Sequence, residues 1–212
     1  MKTLMLILLS VGALAAMGVL FLCPAEAQGA DVKAAAAGHK ILLVYYSRSG
    51  SNYVSGDIVN LPVGNTAAVA EMIREMTGAD VFEIKTVKPY PADYRETTEV
   101  AKAEMQAQAR PEIVGGVENV EQYDTIILGY PNWWGTMPMA VFSFLEKHRL
   151  EGKRILPFCT HEGSAMGRSI RDLHKALPNA EVKKGLPIKG SRVYKKDASV
   201  RNELEAWLSQ NL

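Results

Sequence analysis

Two adjacent tryptophans, Trp133 and Trp134, are the residues with the clearest chemical potential. Residues 125–129 before them are apolar, β-branched or small, which predicts a short strand buried on both faces. Pro131 ends that strand because proline offers no N–H to a ladder. Two neighbouring indoles in a loop cannot both enter one core, so at least one should contact a ligand, a partner or solvent. We interpret Asn132–Thr136 as one wall of a site for a flat aromatic ligand, with a partner-facing tryptophan as the alternative.

A second polar loop has the composition of an anion site. Ser47 and Arg48 follow the first predicted strand, and Asn65 and Thr66 stand at the start of a helix. Hydroxyls and backbone N–H groups at a helix N-terminus can bind a phosphate. Ala67 stands where a Walker A loop needs lysine, and no G-x-G-x-x-G follows the first strand, which argues against nucleoside triphosphates and dinucleotides. A plain helix cap beside a surface loop is the alternative explanation.

A third loop, residues 161–167, is rich in glycine. With Thr160, it offers His161 and Gly163, whose small neighbours allow the backbone to approach and bind the edge of a ring. Ser164 near His161 would be a candidate nucleophile and base, but the residues around it do not form G-x-S-x-G. Cys159, on an apolar strand, is predicted to be an inert buried thiol.

Composition excludes several classes of function. The formal net charge of +1 gives no reason to expect nucleic acid as a partner. The four histidines are scattered, and none lies at metal-ligand spacing from another histidine, a cysteine or a carboxylate, so we predict no metal site.

The first 27 residues predict a signal peptide. Lys2 precedes an apolar run from Leu4 to Cys23, and Ala25-Glu26-Ala27 offers an A-x-A site, so cleavage after Ala27 would deliver the chain to the periplasm. The run is also long enough for an uncleaved membrane anchor, and Cys23 allows a lipoprotein. We predict that residues 28–39 are a linker without a core of its own.

Strands alternate with helices through residues 40–212, which predicts one α/β domain without a membrane span. The expected fold is a doubly wound, five-stranded parallel sheet of order 2-1-3-4-5 with helices on both faces. Predicted strands lie at 40–46, 79–85, 125–129, 154–160 and 181–188, helices start near residues 65, 93, 137, 170 and 200, and a small hairpin centres on residues 55–57. For the first helix we predict Asn65 or Thr66 as the N-cap and Gly78 as the C-terminal stop, and for the second a capping box of Asp93 with Glu96. Pro157 predicts a bulge or an edge within the fourth strand. The three polar loops follow strands one, three and four, so they should converge at one edge of the sheet.

Over residues 40–211 the sequence resembles the flavodoxins. The resemblance rests on three stretches: Tyr46-Ser47-Arg48 with Gly64-Asn65-Thr66, then Gly129 to Gly135, then Thr160 to Ser164. It implies FMN as the cofactor, with its phosphate near Ser47, Arg48, Asn65 and Thr66, and its ring between Pro131, Asn132, Trp133, Trp134 and Gly135 on one side and Thr160, His161 and Gly163 on the other. Residues 49–63 interrupt the phosphate loop, as in a flavodoxin-like subfamily with an insertion. The nearly neutral charge also differs from the acidic surface with which flavodoxins bind basic partners.

The resemblance implies electron transfer through tightly bound FMN to a redox partner protein or a quinone. An NAD(P)H-dependent quinone reductase, with His161 or Tyr130 as proton donor, is the alternative within the same fold. A flavin-free module that uses the two tryptophans to capture a partner is a third hypothesis.

Overall fold

The computed structural model describes residues 31–212, so the predicted signal peptide, its cleavage site after Ala27 and Cys23 lie outside the described residues. The strands are β1 (Ile41–Tyr46), β2 (Gly50–Val54), β3 (Asp57–Leu61), β4 (Asp80–Ile84), β5 (Thr125–Pro131), β6 (Arg154–His161), β7 (Glu181–Val182) and β8 (Leu186–Lys189). From residue 41 onwards, the α-helices are α1 (Asn65–Thr77), α2 (Tyr94–Gln106), α3 (Met139–Lys147), α4 (Ser169–Ala176), α5 (Gly190–Tyr194) and α6 (Ser199–Asn211). Within residues 31–212, no helix is both long enough and apolar enough to cross a bilayer.

The central sheet has six strands rather than the predicted five. Its order is β4-β1-β5-β6, and both β7 and β8 pair with β6, all in parallel. The predicted fifth strand, 181–188, is therefore two short strands, and the sheet departs from the predicted order 2-1-3-4-5 at this edge. The predicted hairpin is present as β2 and β3, which form a separate antiparallel sheet.

Pro157 explains where the edge strand is interrupted. On one side, it pairs with Leu128 in an unbroken register, so the predicted bulge is absent. On the other side, β7 ends its pairing at Ile155 and β8 begins its pairing at Phe158. Because proline has no N–H to donate, the break beside Pro157 makes β6 a local edge there, as the sequence also allowed.

Apolar side chains cover both faces of the sheet. Along β1, Leu42 and Val44 pack into one core together with α3 and α4, whereas Ile41 and Leu43 pack into a second core with α1 and α6. Helices therefore lie on both faces, as predicted. Residues 31–36 are helical, and Val32 is fully buried in the second core. The prediction of a linker over residues 28–39 did not include this contribution to the core.

The residue that ends helix α1 was predicted correctly, whereas the residue that caps its start was not. Gly78 ends the helix at φ 68°, in the left-handed region that glycine adopts without strain, as predicted. The predicted caps Asn65 and Thr66 are wrong, because the N-cap residue is Gly64, which has no side chain that could accept a hydrogen bond. At α2, the N–H of Glu96 donates to the Asp93 carboxylate over 2.9 Å, which confirms the predicted cap.

Candidate functional site

The β2–β3 hairpin accounts for the interrupted loop after β1. The hairpin leaves the sheet after Arg48 and returns the chain to the same place at Gly64. A Cβ atom on Gly64 would lie 2.4 Å from both the Oγ atom of Ser47 and the carbonyl oxygen of Arg48. The two halves of the predicted phosphate loop are therefore in direct contact, and only glycine allows that approach.

The N-terminus of α1 forms one end of a crevice. The N–H of Ala67 donates to Ser47 Oγ over 3.0 Å, so a residue from the distant first loop caps the helix. Within residues 31–212, the N–H groups of Asn65 and Thr66 have no acceptor. Free N–H groups and the positive end of the helix dipole together favour an anion at this end.

The α1 end of the crevice is fixed to the loop after β6 by a buried hydroxyl pair. The Oγ1 atoms of Thr66 and Thr160 are 2.7 Å apart, and the two residues are 2% and 4% exposed. A buried hydroxyl pair of this kind restrains both elements, because each group would lose its partner if either moved. Two predicted site residues from distant parts of the chain are thus joined directly.

Arg48 connects the first loop to two other segments. Its guanidinium donates to the carbonyl oxygens of Pro91 and Ala92 over 2.8 and 2.6 Å, and also to that of Ser51. Burial lowers the pKa of Arg48 from its ordinary value, with partial compensation from nearby acidic groups. The side chain predicted to contact phosphate thus also holds the hairpin and the connector before α2 against the crevice.

A tight turn presents the two tryptophans at the opposite end of the crevice. Trp133 and Thr136 exchange backbone hydrogen bonds of 2.9 and 3.2 Å. Between them, Trp134 and Gly135 have φ values of 54° and 82°, the signature of a type I′ turn. A non-glycine residue in this conformation costs about 1–3 kcal/mol. The Asn132 side chain stabilises the turn, because it accepts from the N–H of Gly135 over 2.9 Å.

The Asn132 amide also connects this turn to the third loop. Its Nδ2 group donates to the carbonyl oxygen of Ala165 over 2.9 Å. The backbone N–H of Asn132 donates to the carbonyl oxygen of Thr160 over 2.8 Å. Both predicted ring-binding loops therefore form one connected unit.

The turn sends the two indoles into different surroundings. Trp133 packs edge-on against Tyr46 and Tyr90, with ring centroids 5.4 and 5.1 Å away, and it lines the crevice. Trp134 is 42% exposed, and its indole N–H donates to the carbonyl oxygen of Thr98 on α2 over 2.9 Å. Of the two, Trp133 is placed to contact a flat ligand within the crevice.

His161 has a defined tautomer. The N–H of Gly163 donates to Nδ1 of His161 over 2.9 Å, so in the neutral ring the proton is on Nε2. Burial lowers the pKa of His161, and the positive charge of Lys189 lowers it further, against an opposing effect of Glu162. Gly163 thus acts through His161, which itself lines the crevice.

The structure brings nearly all the predicted site residues together. A cavity of about 130 Å³ is lined by Ser47, Arg48, Asn65, Thr66, Pro131, Asn132, Trp133, Thr160 and His161. An adjoining cavity of about 590 Å³ extends between α2 and the turn, and Trp134 and Gly135 line it. Gly163 lines neither cavity.

Sequence reasoning missed other residues of this crevice. Tyr94 lines both cavities and stacks on Tyr53 of the hairpin at 6.3 Å and 25°. Glu162 accepts from the N–H of Ser55 at the hairpin tip over 3.2 Å, whereas its buried Oε1 atom has no partner among the described residues. A Cβ atom on Gly190 would lie 2.9 Å from that oxygen. An aromatic residue directly after a helix cap was the one sequence signal for Tyr94.

Two further predictions are decided by burial. Tyr130 is fully buried, its hydroxyl donates to Ser169 Oγ over 2.9 Å, and burial raises its pKa, so its predicted role as a proton donor is wrong. Cys159 is fully buried and burial raises its pKa, which confirms an inert thiol. Among the described residues, no group of three histidines, cysteines or carboxylates could hold a metal ion.

Comparisons with known proteins agree with this geometry. The sequence profile of the flavodoxin family matches residues 40–211. A search of curated proteins gave no significant match. Among solved structures, a candidate flavoprotein from Bacteroides uniformis is 25% identical, with 81% of this chain and 98% of that chain covered and a TM-score of 0.64.

Two further solved structures are similar. A candidate flavoprotein from Bacteroides eggerthii is 29% identical, with 77% of this chain and 98% of that chain covered and a TM-score of 0.60. A flavoprotein from Lactobacillus acidophilus in complex with FMN is 23% identical, with 74% of this chain and 98% of that chain covered and a TM-score of 0.54. At that identity, the Lactobacillus structure is informative about the fold alone.

Proposed function

Because this chain belongs to the flavodoxin family, we propose that it binds FMN in the crevice and carries electrons to a protein partner or a quinone. The observation that carries the proposal is the convergence of two unlike features in one crevice. An anion site at the N-terminus of α1 lies at one end, and the ring of Trp133 lies at the other. A cofactor with a phosphate at one end and a flat ring at the other matches that pairing.

The residues present fit FMN at three points. Within residues 31–212, the N–H groups of Asn65 and Thr66 have no acceptor and are available to a phosphate, and Trp133 offers an aromatic surface to a ring. In the same crevice, the buried Oε1 atom of Glu162 has no hydrogen-bond donor within the part of the chain that the structure describes. An unpartnered buried carboxylate oxygen costs free energy, and the hydroxyls of the FMN side chain are donors of the required kind.

The chain's own residues would bind the cofactor and fix its position. When bound, FMN supplies one- and two-electron transfer. Trp133 and Tyr94 exclude water from the crevice, while Asn132 fixes one loop against the other. His161, with its lowered pKa, offers a neutral Nε2–H donor near pH 7 rather than a positive charge. No acid or base from the protein is needed for a carrier.

A quinone reductase is the second candidate, and one observation favours it. The cavity of about 590 Å³ beside Trp134 adjoins the crevice and has room for a second flat molecule. With Tyr130 buried, His161 is the remaining candidate proton donor. Rapid mixing with NADPH separates the two functions, because fast bleaching of the flavin is expected for a reductase and negligible bleaching for a carrier.

The visible spectrum of the purified protein tests the proposal itself. The protein, processed as the cell processes it, should show the bands of oxidised flavin or acquire them when FMN is added. A colourless protein that takes up no FMN would end the proposal.

We also propose export to the periplasm, with cleavage after Ala27. The apolar run and the A-x-A site support it, and a periplasm without a nicotinamide pool favours the carrier. N-terminal sequencing of the protein from a periplasmic extract should begin at Gln28. Retention of Cys23 in a membrane fraction would instead indicate an anchor or a lipoprotein.

A further inference from the structure

One segment of the chain has a high density of positive charge. Residues 183–196 contain six of the 24 basic side chains and none of the 23 acidic ones. The rest of the chain therefore has an excess of five negative charges, although the net charge is only +1. A protein that is nearly neutral overall thus has a strongly positive segment.

Part of that segment lies at the mouth of the crevice. Lys189 is the register partner of His161, and Gly190 lines the crevice itself. Lys195 and Lys196 directly follow α5, which begins at Gly190, so their backbone lies about 8 Å further along at 1.5 Å per residue. We call Lys189, Lys195 and Lys196 the basic rim.

The basic rim is free to bind a partner. Its three lysines are exposed, and within residues 31–212 none of them forms an ion pair. Nearby Arg192, in contrast, is paired with Asp197 and Glu203. The rim is therefore an unneutralised positive surface rather than part of an internal salt-bridge network.

Protection of the sheet edge explains only part of the rim. Lysines on an edge strand discourage pairing with other chains, and β8 is paired with β6 alone. Lys195 and Lys196 lie beyond the strand, however, where no such protection is needed. Tyr194, which is 50% exposed, adds the kind of aromatic residue that is enriched in protein interfaces.

We propose that an acidic electron-transfer protein docks on the basic rim and exchanges electrons through the crevice mouth beside His161. The inference rests on the proposed FMN function and reverses the polarity expected from acidic flavodoxins. A protein surface fits better than a lipid surface, because Tyr194 is the only large exposed apolar residue of segment 183–196. Complementary charge would accelerate encounter and orient the partner.

The reaction rates of two small redox reagents of opposite charge report the electrostatic potential at the crevice mouth. The FMN-loaded protein is reduced and mixed with ferricyanide, a trianion, or with tris(phenanthroline)cobalt(III), a trication. Each reduced FMN delivers two electrons, so two ferricyanide ions become ferrocyanide and the flavin's protons pass to water. For the native protein, ferricyanide should react faster as the salt concentration is lowered, and the cobalt complex more slowly.

Two double variants with the same net charge separate a local effect from a global one. Lys189→Glu with Lys195→Glu reverses the rim. Lys40→Glu with Arg149→Glu reverses two exposed residues that precede strands, Lys40 directly before β1 and Arg149 in the connection from α3 to β6, at the edge of the sheet opposite the crevice. The rim variant should lower the ferricyanide rate about 10-fold at low salt and raise the cobalt rate, whereas the control should change both far less. Equal shifts in both variants, or no shift in either, would overturn the docking proposal.

A macromolecular probe distinguishes a protein partner from a membrane. Rubredoxin, a small acidic iron–sulfur protein, should exchange electrons with the native protein in a salt-dependent reaction that the rim variant slows. Capture by phosphatidylglycerol vesicles without reaction with rubredoxin would refute a protein partner. FMN uptake is measured first, so a protein that takes up FMN but reacts independently of the rim refutes only this inference, and one without FMN refutes the proposed function.

Discussion

The two ends of the crevice are built in different ways. At the phosphate end, short hydrogen bonds and close contacts hold the segments together: Ser47 Oγ caps α1, the hydroxyls of Thr66 and Thr160 are bonded, and Gly64 leaves no room for a side chain. At the ring end, aromatic edges and a strained turn hold the wall, and Trp134 is 42% exposed.

The difference follows from what each end has to do. A phosphate of fixed charge is bound best by donors that are already in place, because their ordering cost is met on folding. A ring that exchanges electrons needs contact with solvent or a partner. We therefore expect changes at the phosphate end to weaken FMN but not lumiflavin, which has the same ring and no phosphate. Changes to the ring surface that lines the crevice should weaken both ligands.

Of the substitutions considered, Gly64→Ala should give the largest difference between the loss of FMN affinity and the loss of lumiflavin affinity. The new Cβ would lie 2.4 Å from Ser47 Oγ and Arg48 O, and since Gly64 has φ −65° the substitution acts through space rather than backbone strain. Overpacking of this kind costs about 1–3 kcal/mol, or about 5- to 150-fold in the dissociation constant of FMN. Titration of flavin fluorescence measures both ligands. An equal loss of lumiflavin binding would mean that the ends are not independent.

Substitutions of the two tryptophans at the ring end should have different effects on ligand affinity and stability. Trp133→Leu should weaken FMN and lumiflavin equally, by about 3- to 10-fold, because stacking contributes about 0.5–1.5 kcal/mol. Trp134→Leu should leave both affinities nearly unchanged but lower the free energy of unfolding by about 1–2 kcal/mol, since it removes the bond to Thr98 and the contact with Lys102. Chemical denaturation of the two variants checks the second half. The reverse ranking of affinities would assign the ring to Trp134.

Local patterns predicted the parts of the fold that depend on neighbours in sequence. The buried strands β1, β5 and β6 were visible as apolar runs, and Gly78 marked the end of α1. The start of α1 at Asn65 was also predicted, but the residue that caps it was not, because Ser47 lies far away in the sequence. The division of the fifth strand was missed for a similar reason. Its break lies beside Pro157 of the neighbouring strand, which has no N–H to donate.

The loops of the site were predictable, but their division of labour was not. Polar composition after strands identified three loops, and the structure joins them through Thr66, Thr160 and Asn132. Which tryptophan faces the crevice depends on the positive φ at position 134, which no residue pattern announces for tryptophan. Glu162 was missed because its partner lies on the tip of a hairpin whose position the sequence does not reveal.

Ser47→Ala should have a smaller effect, confined to the phosphate end. Loss of the hydroxyl that caps Ala67 should lower the free energy of unfolding by about 0.5–2 kcal/mol and weaken FMN several-fold, with lumiflavin unchanged. Ser49→Ala is the matched control, since that neighbouring serine is exposed and should change neither quantity. Calorimetric binding and thermal unfolding of the two variants provide the comparison. A loss of FMN affinity in the Ser49 variant of the same size would argue against a role for the cap.

The smallest effect should come from His161, which lies between the two ends. Burial lowers its pKa below the ordinary 6.5, so between that value and the folded pKa the unfolded chain binds more protons than the folded one. Stability should therefore decrease as pH falls through this window and should be insensitive to this group above it. His161→Gln should remove that part of the slope in the unfolding free energy between pH 5 and 8, about the range in which histidines titrate. His174→Gln, at an exposed position of α4, is the matched control for the loss of an imidazole outside the crevice. A steeper loss of stability in acid for His161→Gln would mean that the protonated ring is favoured by the fold, and that this part of the crevice carries a positive charge near neutral pH.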